Sequence, residues 1–142
     1  LATAICASLL AQLIKVLLNL FIFHRFIAER MWGAGGMPSS HSATVCAMVV
    51  ATGRYCGVNS PLFAIAAVLS IIVMYDAMGV RYETGEQAKV LNRMFTEWMD
   101  QGFEQFQLPH GKKLKEMVGH TPIEVVTGAA LGIVLGFAMP MV

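Results

Sequence analysis

Two segments of this chain carry side chains able to hold an anion and to move a proton. The first is Gly35-Gly36-Met37-Pro38-Ser39-Ser40-His41, a turn running into a helix start, where serine is a favoured cap. Free backbone N–H groups at such a start, with two hydroxyls, make an anion cradle, and His41 projects one step into the helix beside it. A glycine–serine turn that only caps a helix has the same appearance. The second segment holds His120 and Glu124, four residues apart and so on one helix face. A carboxylate one turn from an imidazole fixes its tautomer and stabilises its charged form, which leaves the other ring nitrogen as a nucleophile or base. A His–Glu pair that merely caps the helix is the alternative, but an ionised carboxylate inside a membrane span needs a reason. Lys15 adds a cation within an apolar run, with Gln12 and Asn19 roughly on its face. Arg81, after Tyr75-Asp76-Ala77-Met78-Gly79-Val80, is either a bidentate clamp for a phosphate or an arginine snorkelling to the interface.

The elements that must position these groups follow from composition. Hydrophobic residues make up 56% of the 142 and charged residues 13%, with a mean hydropathy of +0.63. Soluble domains carry about twice that share of charge. A net charge of +1 supplies no field for a polyanion, so nucleic-acid binding is excluded. The three cysteines, Cys6, Cys46 and Cys56, are expected as small buried hydrophobes and not as a disulfide framework. The chain is expected to be an all-α, polytopic membrane helix bundle, a single integral-membrane domain over 1–142. Four spans of near the ~20 residues that cross a bilayer are expected at 1–23, 41–58, 61–80 and 121–142. Residues 1–23 show neither a basic leader nor a small-x-small cleavage site, so they are expected to be a span and not a signal peptide.

Segment 81–120 differs in kind. Val90, Leu91, Met94, Phe95, Trp98, Met99 and Phe106 recur at helical spacing with charges between them. This is an amphipathic helix, suited to the membrane interface or to packing on the bundle. Phe106 to Lys115, with Pro109 and Gly111, is the expected turn back.

Four spans bring the end of the first, the start of the second, the end of the third and the start of the fourth to one side. There lie His24–Arg25, the 35–41 turn, Asp76 to Arg81, and His120 with Glu124, so that all four histidines and every acidic residue fall at or near one face. Polar groups at membrane depth are costly and usually functional. From Glu124 the four-residue step continues through Gly128, Gly132 and Gly136, a GxxxGxxxG ridge for helix packing within one chain or in a homodimer.

Pro38-Ser39-Ser40-His41 followed by His120-x-x-x-Glu124 resembles two signatures of the type 2 phosphatidic acid phosphatase and vanadium haloperoxidase superfamily. The strings 35–43, 75–81 and 119–125 resemble more specifically its divergent bacterial and plastid branch. The resemblance implies His41 as general acid, His120 as nucleophile and Glu124, where the family has aspartate, as the residue that orients it. It also implies phosphate binding by Lys15, Ser39 and Ser40, the last standing for the usual glycine. The arginine that usually precedes the nucleophile is absent, and topology alone offers Arg81 in its place.

The expected function is a membrane phosphatase that hydrolyses a lipid phosphate or diphosphate through a phosphohistidine, with no metal and no other cofactor. The incomplete clamp leaves a non-catalytic binder or carrier of a phosphorylated lipid as the alternative. A third reading is a metal-dependent site, since His41, Asp76, Glu83, His120 and Glu124 include suitable ligands for zinc or magnesium. The expected partners are membrane lipid, a phosphorylated lipid substrate and a second copy of the chain in a homodimer. Of ten Lys and Arg residues, Arg54 lies on the far side, Lys15 within a span and eight on the site side. Positive charge near span ends marks the cytoplasmic side, so the site is expected to face the cytoplasm from a bacterial inner membrane.

Overall fold

The computed structural model describes residues 1–23, 36–101, 113–116 and 118–140. His24, Arg25, Gly35, Phe106 and the expected turn around Pro109 and Gly111 lie outside the described residues. The described elements are helices throughout: α1 (Ala2–Phe23), α2 (Ser40–Cys56), α3 (Pro61–Met78), α4 (Val80–Asp100) and α5 (Pro122–Ala138). Their starts are set by local chemistry. Ser39 caps α2 and Ser60 caps α3, whose first residue is Pro61. Proline there loses no helical hydrogen bond, because the first N–H groups have no intrahelical acceptor. Thr121 caps α5 in a reciprocal box with Glu124, and Pro122 follows. Gly79 separates α3 from α4, and the pair forms one stretch, Pro61–Asp100, long and apolar enough to cross a membrane, as does Ala2–Phe21. The α5 helix is apolar but shorter.

The polarity of the molecule is that of a membrane bundle. The buried core consists of small residues, Ala7, Ala11, Ala43 and Ala47, with Leu131 and Leu135 packed against it. Large apolar side chains point outward instead, among them Leu13 and Leu17 on α1, Ile65 and Ile72 on α3, and Val134 and Phe137 on α5. A water-soluble fold would bury such residues. In lipid nothing drives them inward, and close packing of small residues holds the helices together.

At the centre, α2 packs on α5, α1 and α3. Its contact with α5 is made along the glycine ridge, where Gly128, Gly132 and Gly136 are all buried. A Cβ on Gly128 would collide with the backbone of Ser39, one on Gly132 with the backbone of Ala43, and one on Gly136 with the Val50 side chain. The ridge thus serves packing within the chain. At the far end Arg54 reaches across this contact, and its Nη1 donates to the carbonyls of Gly136 (2.6 Å) and Met139 (2.8 Å). These are last-turn oxygens that the helix itself leaves unpaired.

Of the cysteines, Cys46 is buried, with its sulfur 3.9 Å from both Ser70 Oγ and Met74 Sδ. Cys6 and Cys56 are exposed, which corrects the expectation that all three would be buried. In this bundle an outward-facing small hydrophobe meets lipid and loses nothing by it. Among the described elements α4 touches no helix except α3, and Val90, Leu91, Met94 and Met99 on it are exposed.

Gly132→Ala should therefore destabilise the protein by about 1–3 kcal/mol, the usual penalty of overpacking a tight contact. Ala130→Val, on the exposed side of the same helix, should change stability little. Unfolding in mixed detergent micelles measures both, and equal effects would show that the ridge does not hold the bundle.

Candidate functional site

Glu124 organises the site. Its position in the first turn of α5 follows from the Thr121 cap, and both of its carboxylate oxygens are engaged. Oε2 accepts the Thr121 N–H at 2.9 Å and lies 3.2 Å from His120 Nδ1. Oε1 accepts the Gly36 N–H at 3.1 Å. The carbonyl of the same residue accepts the Ser39 N–H at 2.9 Å. One residue therefore fixes the glycine–serine turn on one side and the imidazole on the other.

The turn has a defined shape. Gly36 takes a φ of 90°, in the left-handed region that glycine enters at no steric cost. Its Cα faces the methylenes of Lys15, which a Cβ there would meet at ordinary contact distance, so the positive φ and not space is what favours glycine. Ser39 is fully buried, and its Oγ accepts both the backbone N–H (3.3 Å) and the hydroxyl (3.0 Å) of Ser42. Its side chain acts as the helix cap, the plainer of the two sequence expectations. Of the four first-turn amides, Ser39 N–H is held by Glu124 and Ser42 N–H by the cap. Those of Ser40 and His41 remain, and neither has an acceptor within the helix. The anion cradle is thus a backbone feature at the start of α2, with the buried side chain of Ser40 beside it.

His41 stands on the first turn of α2, and its ring centroid is 6.0 Å from that of His120, with the planes 59° apart. His120 is itself 2% exposed and precedes α5, tied by its own N–H to the Ala77 carbonyl at the end of α3 (3.0 Å). With Nδ1 directed at Glu124, its Nε2 is buried and has no hydrogen-bond partner. If Nδ1 carries the proton, Nε2 presents a lone pair. Two imidazoles in this arrangement can divide labour, one attacking while the other donates a proton.

Lys15 is 2% exposed. Among the described residues no carboxylate lies within ion-pairing distance of its ammonium, and the buried amide oxygen of Gln12, one turn earlier, lacks a partner. Arg81 is placed beside the histidine segment, since Gly119 packs against its backbone. Its Nε donates to Asp76 Oδ2 at 2.6 Å, which leaves the terminal guanidinium nitrogens for another acceptor. Glu83 is exposed. Among the described residues no three His, Cys, Asp or Glu side chains come together as a metal site would require, so the ligand set of the metal reading is dispersed here.

Sequence reasoning passed over two contributors. The Gly36 N–H that steadies Glu124 belongs to a residue that the sequence marks only as part of the turn before the helix start. Asn92, buried on α4, is a polar residue at the edge of the apolar stripe of that helix; its place in line with the small residues Gly85 and Ala88 is the signal that marks it.

A family model described as "Divergent PAP2 family" matches residues 1–135. The chain belongs to that family. It is also similar to a Bacillus subtilis protein described as "Uncharacterized membrane protein YuiD", with 38% identity over 141 residues, 95% of this chain and 89% of that protein. No solved structure matches the chain significantly. Membership of the Divergent PAP2 family accords with the resemblance carried by residues 35–43 and 119–125, and makes this a phosphatase-related membrane protein.

Burial holds the His120 imidazole below its ordinary range. The hydrogen bond and charge of Glu124 oppose this, while the positive charges of Lys15 and Arg81 add to it. The neutral ring therefore persists to lower pH than for a free histidine, whose value is about 6.5. A nitrogen-15 NMR titration of His120 should give a midpoint below that value. Glu124→Gln removes the carboxylate charge and weakens the hydrogen bond, so it should lower the midpoint further, whereas Lys15→Ala should raise it. A midpoint that rises in Glu124→Gln would contradict this electrostatic account.

Proposed function

We propose that this protein is a membrane phosphatase that hydrolyses a lipid phosphate or diphosphate through a phosphohistidine. The observation that carries the reading is the His120 ring: Nδ1 is tied to Glu124, Nε2 is unpartnered, and His41 stands 6.0 Å away, centroid to centroid. A phosphoryl group entering between the rings is attacked by Nε2. The nitrogen–phosphorus bond forms as the bond to the leaving oxygen breaks, and Glu124 stabilises the positive ring that results. His41 protonates the departing oxygen, then takes a proton from the water that cleaves the phosphohistidine and releases inorganic phosphate. Lys15, Arg81 and the amides of Ser40 and His41 balance charge on the equatorial oxygens, the main source of rate in such transfers. Each role falls to a group of the protein, and the mechanism needs no metal.

A second reading, a binder or carrier of a phosphorylated lipid without turnover, draws support from the engagement of Arg81 by Asp76. Phosphate release from a panel of lipid phosphates and diphosphates separates the two. Under the phosphatase reading His120→Ala lowers turnover by about three orders of magnitude or more, with lipid binding retained. Binding that is lost in Lys15→Ala, with equal or no turnover in wild type and His120→Ala, would establish the carrier instead.

The site faces the cytoplasm of a bacterial inner membrane in this proposal. Supporting it, Arg54, the far-side cation, is engaged in capping α5, while the cations near the other span ends lie on the site side. A single cysteine introduced by Lys113→Cys, in a background without the native cysteines, should resist an impermeant maleimide in intact spheroplasts and react once they are permeabilised. Labelling before permeabilisation would reverse the orientation.

A further inference from the structure

The described residues that lead into His120, 113–116 and 118–119, form no helix or strand, yet the proposed chemistry requires its ring to be held in one place. The described residues of 113–120 are laid along α4, in the direction opposite to the helix. At the outer end Asn92, 5% exposed, grips Leu114 by both backbone groups. Its Nδ2 donates to the Leu114 carbonyl (2.9 Å), and its Oδ1 accepts the Leu114 N–H (2.8 Å). The same Nδ2 also donates to Glu116 Oε1 at 2.8 Å. Further along, Gly85 admits the backbone of Glu116, and Gly119 packs on the backbone of Tyr82, each so closely that a Cβ would collide. At the inner end the His120 N–H meets the Ala77 carbonyl. These contacts form one continuous seam from Asn92 to the imidazole. Gly85, Ala88 and Asn92 are the buried residues of α4, so the buried side of this helix is the side that carries the segment.

We propose that Asn92 is a positioning residue for His120: it anchors the 113–120 segment to α4 and so fixes where the imidazole stands. An asparagine suits the task because its amide offers a donor and an acceptor in one plane, matching the C=O and N–H of a single extended residue. Those part-buried backbone groups would lose their partners if the amide were removed, and the segment would open to water to satisfy them. Asn92 does not touch the imidazole, so its effect on His120 passes through the seam.

The test uses the full chain in detergent and follows the reaction of each histidine with diethylpyrocarbonate by mass spectrometry. It needs no turnover, so it stands or falls separately from the phosphatase reading. Asn92→Ala should raise the rate at buried His120 by about ten-fold, as expected when a few hydrogen bonds holding a segment are lost. The rate at His41, already exposed and on another element, should stay within about two-fold of wild type, the scatter allowed for distant sites. Asn92→Asp keeps the acceptor for Leu114 N–H but loses both donated bonds and faces Glu116 with a like charge, so it too should expose His120. Adding Glu116→Gln to Asn92→Asp supplies a donor from the other side and should return the His120 rate most of the way to wild type. A His120 rate unchanged in Asn92→Ala would overturn the proposal, and so would a parallel rise at His41, which marks general unfolding. Should Asn92→Ala fail to fold, the Asp variant with and without Glu116→Gln decides by the same readout, and no rescue in the double variant would overturn it.

Discussion

The close approach of α5 to α2 is the constraint on which the site depends. Three glycines let the α5 backbone lie against Ser39, Ala43 and Val50, and this separation permits the Glu124 carbonyl to accept the Ser39 N–H. Once that bond is made, the carboxylate of the same residue falls between Gly36 and His120. The two histidines, 79 residues apart in the chain, face each other because both are referred to one carboxylate. Packing in lipid comes from small residues and close contact, so the force that assembles the bundle also sets the spacing of the two imidazoles. Stability and site geometry are coupled here through a single helix pair.

Glu124 consequently has two duties that pull in different directions. As a structural acceptor it receives two backbone N–H groups, which hold its carboxylate in place. As a partner of His120 it favours the tautomer with the proton on Nδ1, in which Nε2 presents a lone pair. The N–H groups from Thr121 and Gly36 drain some of its negative charge, while burial and the nearby cations hold His120 towards the neutral state. A neutral ring with a fixed tautomer is the form needed for nucleophilic attack. The capping box that begins α5 therefore also holds the imidazole: of the two sequence alternatives for His120 and Glu124 the cap is present, and the proposed function uses the same carboxylate.

Much of this was legible before the fold was known, for physical reasons that differ between residues. Membrane helices alternate direction, so counting spans was enough to bring His41, Arg81, His120 and Glu124 to one side. The four-residue step of Gly128, Gly132 and Gly136 announced a packing ridge because helical periodicity is strict, although it did not name α2 as the partner. What escaped notice lies in irregular backbone or across a helix break. No periodicity links Asn92 to Leu114 or Gly36 to Glu124. Arg81 and Asp76 form their ion pair around the break at Gly79, which no apolar pattern marks. The exposed Cys6 and Cys56 escaped for another reason: residue polarity predicts burial in water, and lipid removes that penalty.

The unequal lengths of the helices bear on how a phosphate would reach Lys15. In α1 the chain runs on for eight residues beyond the lysine, to Phe23, about 12 Å at the helical rise. The two helices that frame the turn and the imidazole, α2 and α5, have 17 residues each, or about 25 Å, less than the ~30 Å of bilayer hydrocarbon. A short pair of helices beside longer ones is a hydrophobic mismatch, and lipid answers it by thinning locally or by drawing headgroups inward. The deformation would be greatest where α2 and α5 begin, at the site itself. A bilayer thinned there would shorten the path by which the headgroup of the proposed substrate reaches the buried lysine.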